Sequence, residues 1–118
     1  MKNINRFKVI IMLVLLAQVP ASFAATLELD ATCAHYTNFN TTAGQTLTKS
    51  GKSNNGTTAY IWINGTNTGF RIPSGVSSCN YQANGNTTFC FHNSTNPNVG
   101  TQVSVTNDHL VSNACQAF

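Results

Sequence analysis

Charge is the property that this 118-residue chain has least of, because only 8% of its side chains are charged. It has six Lys and Arg residues against three Asp and Glu residues, and three of the six cations stand within the first eight positions. The rest of the chain therefore carries three cations and three acids, which sum to zero. A neutral chain with so few charges excludes a basic surface built for nucleic acid and an acidic disordered tail.

Long apolar runs are also lacking, with one exception near the start. Residues 9–17 are nine consecutive apolar side chains, preceded by the three early cations and followed by Pro20 and by Ser22-Phe23-Ala24. A bilayer span needs about 20 apolar residues, so this run is too short for a membrane anchor. The pattern predicts a secretory signal over residues 1–24, cleaved before Ala25, and a secreted or periplasmic protein without a transmembrane anchor.

Catalytic and metal-binding motifs are missing as well. The chain has no Gly-x-Ser-x-Gly elbow, no CxxC pair and no Asp-rich calcium loop, so we expect no metal ion and no cofactor. Three histidines remain as possible acids and bases: His35, His92 and His109. With Lys49 or Lys52 they could serve a small secreted hydrolase or ribonuclease-like toxin, which is the alternative to a binding function.

The distribution of apolar residues predicts an all-β fold. Side chains alternate between apolar and polar from Leu27 to Cys33, and again around Val103 and Val105, as in half-buried strands. Residues 59–63 form a continuous apolar stretch, which is typical of a central strand. Turn-forming pairs between these segments favour an antiparallel β-sandwich or barrel of about 6–7 short strands, in a single domain over residues 25–118. The segment 38–55 has few apolar residues, so we expect a long connection there.

Four cysteines in an exported domain of this size predict two disulfides that stabilise a small core. A two-residue turn at Asn84-Gly85 would place Cys79 directly opposite Cys90 in a hairpin. This register predicts a disulfide between Cys79 and Cys90, which leaves Cys33 to pair with Cys115. The entropy of loop closure does not separate this pairing from the rival one, Cys33 with Cys79 and Cys90 with Cys115.

A second turn, at Asn64-Gly65, predicts another hairpin with two unlike faces. If it is a two-residue turn, Trp62 faces Asn67 and Tyr60 faces Gly69. One face of the hairpin is then apolar and should point to the core: Ala59, Ile61, Ile63 and Phe70. The other face carries the candidate ligand-binding residues: Tyr60, Trp62, Asn67 and Arg71.

This mixture of aromatic rings, an amide and a guanidinium is typical of sites that bind a sugar or a protein surface. The alternative is that both faces are buried and that Trp62 belongs to the core. On balance the sequence predicts a small exported binding module for carbohydrate or for an extracellular or periplasmic protein.

Overall fold

The structure, a computed structural model, describes residues 24–41, 44–83, 85–94 and 100–118. The predicted signal segment, apart from Ala24, lies outside these ranges. Within them, no helix is long and apolar enough to cross a membrane.

Nine strands form two antiparallel sheets in the described part of the chain, which confirms the all-β prediction and exceeds the expected number of strands. In chain order they are β1 (Ala24–Glu28), β2 (Thr37–Thr41), β3 (Gln45–Gly51), β4 (Ala59–Ile63), β5 (Thr66–Ile72), β6 (Ser78–Tyr81), β7 (Gly85–His92), β8 (Thr101–Thr106) and β9 (Gln116–Ala117). One sheet has the order β1-β8-β3-β6 and the other has the order β2-β7-β4-β5-β9.

The core lies between the two sheets and follows the alternation of each strand. Leu47 and Val105 point inward from the four-stranded sheet, while Ile61 and Phe89 point inward from the five-stranded sheet. Each fully buried side chain of this kind contributes about 1.5–3 kcal/mol relative to exposure. Polar side chains that alternate with them on the same strands, such as Thr48, Thr88 and Ser104, are partly exposed on the outer faces.

The expectation of a long connection over residues 38–55 is wrong, because this segment contains most of β2 and all of β3. Strand β3 even lies inside the four-stranded sheet, between β8 and β6. Leu47 is its only apolar side chain, and Gln45, Thr46 and Lys49 are buried with it. A search for apolar alternation misses such a strand because its buried side chains are polar and bond backbone carbonyls instead.

Lys49 is the most unusual of these buried groups. Its side chain is 2% exposed, and its ammonium nitrogen Nζ donates hydrogen bonds to the carbonyl oxygens of Thr57 and Pro73. No carboxylate of the described residues lies within ion-pair distance of it. Burial therefore lowers the pKa of Lys49, since the charged form loses its hydration without gaining an opposite charge.

The predicted disulfide pairing is wrong: the structure joins Cys33 to Cys90 and Cys79 to Cys115. The predicted hairpin does not form, because β6 belongs to the four-stranded sheet and β7 to the five-stranded one. The chain crosses between the sheets where the turn was expected, and Asn84 itself lies outside the described residues. Cysteines on strands of different sheets are no longer cross-strand neighbours, so the register argument does not apply.

The two disulfides occupy different layers of the sandwich. Cys79 and Cys115 belong to the core cluster and join β6 to the residues that lead into β9. Cys90 is the cross-strand partner of Trp62, so it faces outward from the five-stranded sheet. Cys33 therefore fastens the segment after β1 onto the outer face of that sheet.

Candidate binding site on the five-stranded sheet

The hairpin of β4 and β5 forms around Asn64-Gly65, as the sequence predicts. Both residues have left-handed φ angles, 50° and 77°, which is the geometry of a type I′ turn. Next to the turn, Trp62 pairs with Asn67 in the predicted register. The local sequence was therefore sufficient to place these two side chains together.

Beyond Trp62 the register shifts, and the prediction that Tyr60 faces Gly69 is wrong. Tyr60 pairs with Arg71, because Thr68 and Gly69 form a bulge. The Thr68 hydroxyl Oγ1 donates to the carbonyl oxygen of Ile61 at 2.7 Å, which satisfies the group that the bulge leaves unpaired. Since the bulge inserts an even number of residues, the alternation of faces is preserved. The four candidate residues therefore still share one face: Tyr60, Trp62, Asn67 and Arg71.

This face is the outer face of the sheet. Ala59 and Ile61 are fully buried, whereas Tyr60 and Trp62 are only half-buried. Trp62 is thus not a core residue, and the alternative with both faces buried does not describe this hairpin. Phe70 pairs with Ile61 on the inner side but remains 36% exposed at the margin of the core.

Strand β7 adds an imidazole to the site that the sequence did not associate with it. His92 is the cross-strand partner of Tyr60, yet its ring lies against Trp62, with the ring centroids 4.3 Å apart and the planes inclined by 31°. Two residues of different strands thus form one continuous ring surface. Burial of Phe89 and Phe91 on the inner face of β7 fixes His92 on the outer face.

The residues that end the sequence bring a further ring. Strand β9 pairs with β5, and the backbone N–H of Phe118 donates to the carbonyl oxygen of Gly69 at 2.9 Å. The Phe118 ring meets Tyr60 edge to face at 5.1 Å between centroids. The guanidinium carbon of Arg71 lies 5.6 Å from the centroid of the same ring, and its Nε donates to Gln116 Oε1 at 2.8 Å.

A cavity of about 200 Å³ opens on this face. Its lining combines aromatic rings with hydroxyl, amide and imidazole groups, and the residues are Tyr60, Trp62, Asn67, His92, Ser94 and Phe118. None of the six is an acid, a lysine or an arginine. Asn67 Oδ1 accepts the N–H of Gly69 at 2.9 Å, which leaves the amide nitrogen Nδ2 available as a donor to a ligand.

One group of potential metal ligands exists among the described residues, directly beside this cavity. The sulfur atoms of Cys33 and Cys90 and a ring nitrogen of His92 lie within 4.8 Å of one another. The two sulfurs are bonded to each other, whereas a metal ion is bound by thiolates. In the oxidised protein this cluster is a disulfide with an imidazole beside it.

The residues of the enzymatic alternative are distributed over separate places. His35 is 57% exposed, with Nδ1 at 3.4 Å from Asp30 Oδ2. Partial burial raises the pKa of Asp30, but hydrogen bonds from the backbone of Thr32, Ala34 and Cys33 outweigh it, so the pKa is lowered overall. The carboxylate therefore organises the turn that follows β1.

His109 and Lys49 lie elsewhere. The residue after His109 donates its backbone N–H to the Thr46 hydroxyl, which is on the outer side of the four-stranded sheet, while Lys49 points into the interior. His92 faces outward from the opposite sheet, and packed sheets are about 10 Å apart. The structure does not bring His92, His109 and Lys49 together in one cleft.

Comparisons with protein-family models, with curated proteins and with solved structures give no match for this chain.

Proposed function

We propose that this chain is an exported binding module that takes a carbohydrate in the cavity on the outer face of the five-stranded sheet. The observation that carries the proposal is the lining of that cavity, in which four rings converge with hydroxyl, amide and imidazole groups. Export is supported by the signal-like segment at the start of the sequence and by two disulfides, which persist in oxidising compartments.

A sugar has the chemistry that such a lining recognises. One face of a pyranose ring presents C–H groups, which pack on aromatic rings, and its rim presents hydroxyl groups, which need hydrogen-bond partners. Trp62 and Phe118 supply the first kind of contact. Asn67 and Ser94 supply the second kind, at the margin of the same cavity.

The proposal is tested by a glycan array probed with the oxidised protein, followed by titration of the best glycan. Truncation of Trp62 to alanine should lower the affinity at least tenfold, about 1.4 kcal/mol, because the central ring of the site is lost. Tyr36→Ala is the matched control, since Tyr36 is an aromatic residue that is 56% exposed and lies outside the site. Its affinity should equal that of the wild type.

Two results would refute the proposal. One is the absence of any glycan that binds above background to protein with both disulfides formed. The other is a glycan that binds equally well to the wild type and to Trp62→Ala, with the fold of the variant verified by thermal unfolding. Release of cleaved product from a bound oligosaccharide or RNA would favour the enzymatic alternative instead.

A further inference from the structure

We propose, resting on the function proposed above, that the ligand is a single uncharged hexopyranose unit, recognised without an Asp, Glu, Lys or Arg side chain in the lining of the pocket. Four features of the site support this ligand class: the size of the cavity, the absence of Asp, Glu, Lys and Arg from its lining, the polar groups that remain available, and the way in which Phe118 is held.

The size of the cavity limits how much of a glycan can be enclosed. A volume of about 200 Å³ accommodates one six-membered sugar ring, whereas sites for larger ligands generally occupy about 300–1,000 Å³. The rings of Tyr60 and Trp62 are two residues apart on one strand, so about 7 Å separates their attachment points. The site is thus a pocket for one unit, and further units of an oligosaccharide would extend into solvent.

The electrostatics of the cavity favour a ligand without charge. Among the described residues, Arg71 is the only Lys or Arg side chain on this face, and it does not line the cavity. Its guanidinium lies against the Phe118 ring, and its Nε donates to Gln116. A carboxylated sugar would have to leave water without meeting a Lys or Arg side chain in the lining, which is unfavourable. A neutral hexose has no such cost.

The polar groups that remain available are donors and hydroxyls suited to sugar hydroxyls. Asn67 offers its Nδ2 hydrogens, while its Oδ1 already accepts the Gly69 N–H. Ser94 is exposed at the rim and can both donate and accept. These two groups define where the ligand must carry hydroxyls, so they are the specificity-determining residues of the pocket.

Phe118 is a wall of the pocket that is held in place by other residues. Its backbone N–H bonds to Gly69, its ring meets Tyr60 edge to face, and Arg71 lies over it. Although the residue is 57% exposed, these contacts fix its ring before any ligand arrives. Pre-organised walls increase affinity because less side-chain entropy is lost on binding.

The test is a competition series against the glycan selected on the array. Neutral methyl hexopyranosides should displace it completely, and the corresponding methyl hexuronates should be at least tenfold weaker. The affinity for the neutral sugar should change less than about twofold between low and high salt, because no ion pair is screened. Stronger binding of the uronates, or a steep decrease of affinity with salt, would overturn the assignment of an uncharged ligand.

Single-residue variants test which side chains of the pocket contact the sugar. Phe118→Ala should weaken the neutral monosaccharide at least fivefold, while Leu110→Ala, which removes another exposed apolar side chain, should have no effect. For Ser94→Ala, the series is repeated with deoxy sugars. The penalty for removing the contacted hydroxyl should disappear in the variant, which loss of fold would not produce. An identical penalty for every deoxy sugar in wild type and Ser94→Ala would remove the role given to Ser94.

Failure of this inference differs from failure of the proposed function. If no glycan binds, or if Trp62→Ala binds normally, the carbohydrate function itself is wrong. If glycans bind through Trp62 but only oligosaccharides or acidic sugars compete, the function stands and the single neutral unit is wrong.

Discussion

Lys49 should make a pH-dependent contribution to the free energy of unfolding. Its replacement by methionine should reveal this contribution. Methionine keeps an unbranched chain in the core but removes the donor for the carbonyls of Thr57 and Pro73. The loss of the ammonium donor costs about 1–3 kcal/mol per carbonyl, and the removal of a desolvated charge offsets part of this. At neutral pH we expect the variant to be less stable by about 2 kcal/mol.

The pH dependence follows from the direction of the pKa shift. Burial lowers the pKa of Lys49 below its ordinary value of 10.5, so between the folded-state pKa and 10.5 the unfolded chain binds more protons than the folded one. In that window the free energy of unfolding of the wild type rises with pH, by at most about 1.4 kcal/mol per pH unit. Below the folded-state pKa both states are protonated and the slope vanishes. Because methionine does not titrate, the stability difference between the two proteins should widen as the pH rises through this window.

The titration of Tyr81 does not account for such a widening of the stability difference. Burial raises the pKa of Tyr81, with a smaller opposing effect from its hydrogen bond to Thr68, so deprotonation of this tyrosine at high pH destabilises the fold. The same tyrosine is present in the wild type and in the variant, and its contribution cancels in the difference. Lys52→Met is the control for the loss of an exposed lysine in the same region, because it removes an ammonium group without removing a buried hydrogen-bond donor.

The assay is urea unfolding with both disulfides intact, from neutral pH to the alkaline limit at which disulfides survive. Fluorescence of Trp62, the single tryptophan of the chain, reports the transition. A difference between wild type and Lys49→Met that is constant over this range, or that narrows with rising pH, would refute the assignment of a lowered pKa to this amine.

Two further predictions concern the backbone and the disulfides. Gly51 has φ of 100°, and an added Cβ would lie 2.0 Å from the carbonyl oxygen of Gly100, so Gly51→Ala should lower the unfolding free energy by more than about 2 kcal/mol, as measured by denaturation. Gly56→Ala, where a Cβ meets nothing within 4 Å, should stay within about 0.5 kcal/mol of the wild type. Peptide mapping without reduction should recover the disulfides of the structure, and loss of the Cys79–Cys115 disulfide should cost about 4 kcal/mol on the chain-entropy estimate.

The two predicted hairpins show which information the sequence contains. The hairpin at Asn64-Gly65 was predictable because β4 and β5 are the only consecutive strands of the described chain that share a sheet. The other consecutive strands cross from one sheet to the other. A turn-forming pair such as Asn84-Gly85 marks a reversal of direction, but it does not show whether the next strand pairs with the last one or packs opposite it. That choice depends on long-range contacts.

The part of the candidate site that depends on local turn geometry could be predicted, whereas the part that depends on long-range strand pairing could not. Trp62 and Asn67 could be paired from turn geometry alone, and the even-numbered bulge left Tyr60 and Arg71 on their face. The alternation of Phe89 and Phe91 would have placed His92 outward from its own strand, but nothing local indicates that this strand pairs with β4. His92 therefore lies at the site only because β7 pairs with β4 in the five-stranded sheet.

The disulfide pairing of the structure explains why Phe118 lies at the site. Cys115 is held in the core by Cys79, on a strand of the four-stranded sheet, and only two residues lie between it and Phe118. After that anchor the chain pairs with the open edge of β5, which brings the Phe118 ring against Tyr60. Under the predicted pairing, Cys115 would instead be bound to Cys33, which the structure places on the outer face of the five-stranded sheet beside Cys90. The pairing thus decides where the wall of the pocket lies, which links the covalent topology of this small domain to its proposed ligand site.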